Sequence, residues 1–454
     1  MGFRRRDASG TAASMCDGRR LATLAGLLGA LASPLAAQGV LDPSFGVAGR
    51  LVIPFSVTTH DRLETVAPLP DGRFIAAGWI EMEGGDLHTL VVRFQPDGRI
   101  DSTFGARRDG RFVHNVRRGG EEEKPRAVAV QRDGRIVVVG QVEGDGPDTD
   151  DFMLLRLTPD GRLDSAFADG RGVTIRHLAG PVDKIRSMAL MHDDRIVCVG
   201  HSDDEFTVAR FTADGAPDTS FGRAGVTTVR FPGEGQGRGI ALFPDGAVLV
   251  TGYTRPSHQK GVPATTYVLR VTPAGVLDSA WAPGGAMVLP VTGYEVRAFV
   301  AAPLPGGGAL LGGRLRAERG KDADFFVVRL HPDGAMDQDF GTDGLVTLDF
   351  DGRDDTVRGL VPLADGRLMV AGFSLVGEDD EDFALALLGR RGRLQRDFDE
   401  DGRARLDFGG ERDKLRGAVL LPDGNVLAYG HAEHGRTRDA ALAKVRVPGR
   451  RGGS

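Results

Sequence analysis

Six arginines recur at one place in a repeated pattern: Arg126, Arg186, Arg238, Arg297, Arg358 and Arg416, with Glu64 at a seventh. Each stands at the start of a short apolar run. A guanidinium stays charged and offers a planar fork that fits carboxylate and phosphate groups. Six of them around one opening would capture a small anion or an acidic peptide terminus. There is a competing reading. An acid stands three residues earlier in five copies (Asp61, Glu123, Asp183, Asp355 and Asp413), where it would neutralise the ring.

Other chemistry finds less footing. Ten histidines are scattered without metal-ligand spacing. No G-x-S-x-G elbow occurs, and no carboxylate pair stands out from the repeat. Asp397-Phe-Asp399-Glu-Asp401-Gly402 resembles the start of a calcium loop but has Phe408 where the bidentate Glu belongs. The acidic runs Asp145–Asp151 and Glu378–Asp382 could hold calcium loosely, although such runs are more often solvated surface. The sequence therefore assigns no catalytic residue, no metal ligand and no cofactor.

A second charge pattern has an invariant spacing. Arg93, Arg156, Arg210, Arg270 and Arg329 are each followed eight residues later by Asp101, Asp164, Asp218, Asp278 and Asp337. In the sixth copy both charges disappear together, leaving Leu387 and Gln395. In the last copy Lys444 takes the basic place, and its partner would be Asp42 near the other end of the chain. Loss in step implies an ion pair inside each repeat, and a bidentate geometry would suit it.

These residues need a scaffold that repeats. Aromatic anchors stand at Phe45, Phe104, Phe167, Phe221, Trp281, Phe340 and Phe398, spaced by 59, 63, 54, 60, 59 and 58 residues. A period near 60 marks stacked supersecondary units. Within one unit, Ala127–Val130, Ile136–Val139, Phe152–Leu157 and Gly172–Ile175 read as four strands, the first two joined by an Asp-Gly turn expected to be type I′. The second and third are apolar at nearly every position, so both faces are buried. Small antiparallel sheets buried on both faces pack radially. The expectation is an all-β, seven-bladed β-propeller with four antiparallel strands per blade. The N-terminal strand Arg50–Pro54 completes the last blade, which otherwise stops after Ala441–Val447. Strand two ends in Gly78, Gly140, Gly200, Gly252, Gly313, Gly372 and Gly430, implying either positive φ or a neighbouring sheet pressed close.

One face of such a propeller carries stereotyped turns. The other carries the second-to-third loops, from the short His201–Asp204 to the long Tyr253–Thr265. Variable loops on a rigid frame are where binding usually resides.

Bulk properties limit the partners. Net charge is −6, and −9 beyond residue 37, which argues against nucleic acid and anionic membrane. Arg4 to Arg6 and Arg19–Arg20 precede the short apolar run Leu21–Leu31, then Pro34 and Ala36–Ala37. Residues 1–37 read as an export signal, 38–447 as the propeller and 448–454 as a disordered tail. No other segment is apolar enough to span a bilayer as a helix. Cys198 is the only thiol after the signal and reads as an inert buried side chain.

The unit A-x-A-x-x-x-D-G-R-I-V-V-V-G followed by D-F-M-L-L-R-L-T-P-D-G-R-L-D-S-x-F, clearest at Ala127–Phe167, resembles the delta-60 repeat of bacterial β-propellers. The resemblance covers roughly Leu41 to Val447 and implies an exported or cell-envelope propeller of unknown function, with no catalytic residues to carry over. The expectation is a monomeric periplasmic, cell-surface or secreted module that binds a protein or a small anionic ligand. Two alternatives remain: a hydrolase or lyase at the channel mouth, and a calcium-stabilised adhesin. Acids and arginines converging in a deep, uncompensated pocket would favour the enzyme.

Overall fold

The computed structural model describes residues 40–449, apart from 57–59, 117–121, 145, 147–148, 257–262, 379 and 436. The expected export signal therefore lies outside the described residues, as do most of the tail and parts of the Tyr253–Thr265, Asp145–Asp151 and Glu378–Asp382 segments.

Seven four-stranded antiparallel sheets follow one another along the chain. Their innermost strands are Asp61–Pro68, Glu123–Val130, Asp183–Leu190, Glu234–Leu242, Glu295–Pro303, Asp355–Pro362 and Lys414–Leu420, which define blades 1 to 7. The chain is a seven-bladed β-propeller. Second and third strands are buried almost throughout, as in Ile196–Ser202 and Asp150–Leu157, because neighbouring blades cover both faces. The last blade takes its outer strand from Arg50–Ile53, which pairs with Ala440 to Ala443 of the strand Thr437–Val445. This closure removes a sheet edge that would otherwise stand open.

The inner strands begin earlier than their apolar runs suggest. Glu123–Val130 starts four residues before Ala127, on polar side chains, and strand two runs on past its glycine to Glu143. The first hairpin turn also differs from expectation. Gly134 has φ 86° and Asp133 is not among the positive-φ residues, so the turn is not type I′, which needs both. Asp194, standing where the other blades have Gly, adopts φ 64° there.

Of the two causes expected for the strand-ending glycines, a neighbouring sheet presses close only at two, where a Cβ on Gly252 would lie 2.7 Å from the Phe206 ring and one on Gly372 2.6 Å from that of Phe325. A Cβ on Gly200 would lie 2.0 Å from the Lys184 carbonyl oxygen, and one on Gly313 would lie 1.9 Å from that of Arg297. At all seven the tightest crowding comes from a carbonyl oxygen on the inner strand of the same blade, and none has positive φ. Each glycine lies opposite a β-bulge, where the inner strand carries one extra residue.

The Arg–Asp pairs form, with Nε–Oδ2 distances of 2.8 Å in Arg93–Asp101, 2.8 Å in Arg156–Asp164 and 2.7 Å in Arg210–Asp218. Lys444 reaches Asp42 at 3.1 Å across the chain termini. They are not bidentate. Nη1 turns to the next blade, where that of Arg93 donates to the Pro159 carbonyl at 2.8 Å and that of Arg210 to the Pro273 carbonyl at 2.6 Å, while Nη2 donates to Thr103 or Ser220 of the same blade. The same arginines stack on their own anchors, Arg156 lying 4.6 Å from the centre of Phe167 and Arg210 equally far from that of Phe221. In the blades of Arg93, Arg156 and Arg210 the pair thus ties an anchor, its own blade and the following turn together.

Candidate functional site

The bulges decide what faces the channel. In each inner strand one residue is skipped between two paired neighbours: Glu64, Arg126, Arg186, Arg238, Phe299, Arg358 and Arg416. A bulge bends the strand and re-aims the extra side chain. These seven residues line one central cavity of about 350 Å3. Five arginines therefore face one carboxylate there.

Arg297 is not one of them. Its place is taken by Phe299, and Arg297 lines an adjoining cavity with Tyr253, Arg314 and Asp354. The side-chain period of a strand is two, so an alignment that matches arginine to arginine moves the fifth blade two residues off register. Counting back from the strand-ending glycine finds the true position. The bulged residue lies fourteen before Gly78, Gly140 and Gly200, and fourteen before Gly313 stands Phe299. Its ring supports Arg358, whose guanidinium sits 4.5 Å from the ring centre.

The acids at the inner-strand starts do not neutralise the ring. Asp61 accepts from the backbone N–H of Phe55 and of Ala440, Glu123 from Thr89, Asp183 from Leu178, Asp355 from Phe350 and Asp413 from Phe408. They hold the incoming segment of each blade. Glu64 is the carboxylate within the ring, ion-paired with Arg62 and reaching Arg126 at 3.4 Å and Arg416 at 4.0 Å. Burial favours its neutral form, but Arg416, Arg62 and Arg126 outweigh burial and hold its pKa at about 2.

Arg186 and Arg358 receive no ion pair or hydrogen bond among the described residues, and their Nε atoms are buried without a partner. Burial first, then Arg238 and Arg126, push Arg186 down to about 9. Burial and then Arg416 and Arg238 do the same to Arg358. The charged form is thus held at a cost that a bound anion would relieve. Arg238 donates to the Tyr253 hydroxyl at 3.0 Å, and Arg255 and Arg297 also lie within 5.6 Å of the Tyr253 ring centre. Against its burial, these guanidinium groups lower the Tyr253 pKa.

The cavity continues toward the face that carries the second-to-third loops. One adjoining cavity shares Arg238, Phe299 and Arg358 with the ring, and another shares Arg416 and adds Arg62, Lys414, His431 and Arg438. Tyr253 and the lining positives beyond the ring hold no common place in the repeat, since Arg62 and Lys414 are on inner strands, Tyr253 and His431 on second strands and Arg438 on a third. Cys198 is fully buried with its thiol pKa pushed up by burial, as an inert core side chain should be.

A family model described as a domain of unknown function (DUF5122) beta-propeller matches residues 69–104, 131–167 and 193–221. No curated protein matches the chain. Among solved structures the chain is similar to a streptogramin B lyase, at 13% identity over 87% of this chain and 98% of that one, with a TM-score of 0.47. It is similar to a PL25 ulvan lyase bound to a GlcA–Rha3S saccharide, at 9% identity over 87% and 96% with a TM-score of 0.48. A puromycin hydrolase matches at 17% identity over 85% of this chain and 54% of its own, with a TM-score of 0.46. At these scores the likenesses carry no argument about ligand or activity.

Proposed function

We propose that the chain is an exported binding module whose propeller channel holds a small polyanion, of the size and charge of pyrophosphate or a tricarboxylate. The observation that carries this reading is the ring itself, five arginines and one ionised carboxylate around about 350 Å3. Guanidinium forks suit both phosphate and carboxylate oxygens. The cavity lies at the small end of ligand pockets. The basic and then apolar N-terminal segment supports export.

Thermal unfolding in phosphate, pyrophosphate, citrate and chloride at matched ionic strength tests the proposal. Pyrophosphate and citrate are expected to raise Tm, phosphate less and chloride not at all. Arg186→Met/Arg358→Met is expected to unfold at a higher temperature than wild type without ligand, because two unpaired buried charges are gone, and to lose the anion response. An equal response in wild type and variant would overturn the assignment.

A second reading, an enzyme at the channel mouth, is favoured by Tyr253, whose hydroxyl is held between Arg238 and Gln236 Oε1 at 3.0 and 2.8 Å. A phenol of lowered pKa beside cations can take a proton from carbon next to a carboxylate. Turnover abolished by Tyr253→Phe, with anion binding intact, would establish this reading.

A further inference from the structure

Two groups of three aspartates stand apart from the channel. Asp324, Asp349 and Asp355 place one carboxylate oxygen each within 4.8 Å of the others, and so do Asp382, Asp407 and Asp413. The second group is the first moved along the chain by 58 residues at every position. That is one blade period, so the arrangement is built by the repeat. In each group the first aspartate begins or nearly begins a third strand, the second follows the outer strand, and the third lies at the start of the next blade's inner strand. The groups therefore sit at the junctions of blades 5 and 6 and of blades 6 and 7.

Like charges so close need a cation or shared protons. Two other junctions supply partners at these places. Between blades 2 and 3, His177 Nδ1 lies 2.8 Å from Asp151, and between blades 3 and 4, Glu205 pairs with Arg230 at 2.8 Å. A separate observation points to a missing ligand. Asp355 and Asp413 are fully buried, and each uses Oδ2 on a backbone N–H, of Phe350 and of Phe408. Their Oδ1 atoms are buried with no hydrogen-bond partner among the described residues. Buried polar atoms left unsatisfied are rare and costly, and they call for an ion or a water. Hard oxygen donors without nitrogen or sulfur suit calcium, whose flexible shell tolerates a site open on one side.

We propose that the chain binds two calcium ions, one at Asp324, Asp349 and Asp355 and the other at Asp382, Asp407 and Asp413, where they fasten adjacent blades. The acidic segment Asp397–Gly402 does not gather such a group among the described residues. It forms a short turn of helix, and Asp401 pairs with Arg403 at 3.0 Å.

The test is calorimetric titration of CaCl2 into chelator-dialysed full-length protein, with thermal unfolding alongside, at about pH 8. Two calcium ions per chain are expected, with Tm raised by several degrees. Asp349→Asn/Asp407→Asn should abolish heat and shift while unfolding in chelator no earlier than wild type, since Asn keeps an acceptor oxygen and removes repulsion. A flat titration near pH 8, or a calcium response that survives in this variant, would overturn the proposal.

Discussion

Asp218→Ala is expected to destabilise the propeller by about 3–5 kcal/mol, because it strands the buried guanidinium of Arg210. Arg210 is 2% exposed and gives Nε to Asp218 at 2.7 Å. Its other nitrogens are committed to the Pro273 carbonyl and the Ser220 hydroxyl, and neither carries a compensating charge. Replacing both partners should cost far less. Blade 6 shows the solution, where Leu387 is fully buried in the arginine's place and Gln395 stands in the aspartate's. Arg210→Leu/Asp218→Gln is therefore expected to recover most of the loss in urea unfolding. A double variant as unstable as Asp218→Ala would show that the arginine's bridge to the next blade, rather than the charge left behind, carries the energy.

Phe45→Ala is expected to cost a similar amount, about 3–5 kcal/mol, because the ring is deeply buried at the seam where the chain closes. Phe45 is inaccessible and packs with Phe74 and Phe94 of blade 1 and Leu427 and Leu442 of blade 7. Its ring also fills the space above Gly98, where a Cβ would lie 3.0 Å from Phe45. Removing residues 40–53 should do more. It unpairs the outer edge of Thr437–Val445, removes the Asp42–Lys444 pair and leaves an open sheet edge. Loss of a single cooperative transition in the truncated chain is the expected result. A truncated chain that unfolds like wild type would show that the seam contributes nothing.

The seam, the blade number and the Arg–Asp pairs were legible because each rests on something a repeated sequence displays, a fixed spacing and its coordinated loss. The channel ring was legible in five of its arginines. It failed at Arg297 because residue type was followed where register decides, and the bulge opposite Gly313 puts Phe299 in the channel instead. The role of Asp61, Glu123, Asp183, Asp355 and Asp413 was misread for a related reason. The spacing to the ring residue could not show that these carboxylates bind backbone amides, which belong to the segment entering each blade. The aspartate trios were unreadable as sites because their members come from three strands of two blades, 25 and 6 residues apart. Their one sequence signal is that the whole trio recurs at a single offset.

The arginine ring is tested most directly by calorimetric titration of pyrophosphate into wild type and Arg186→Met/Arg358→Met at low and high salt. One site per chain is predicted, with affinity falling as salt rises and weaker by about tenfold or more in the variant, equivalent to roughly 1.4 kcal/mol. No heat with wild type, or equal affinity in the two proteins, would contradict a channel built to hold a polyanion.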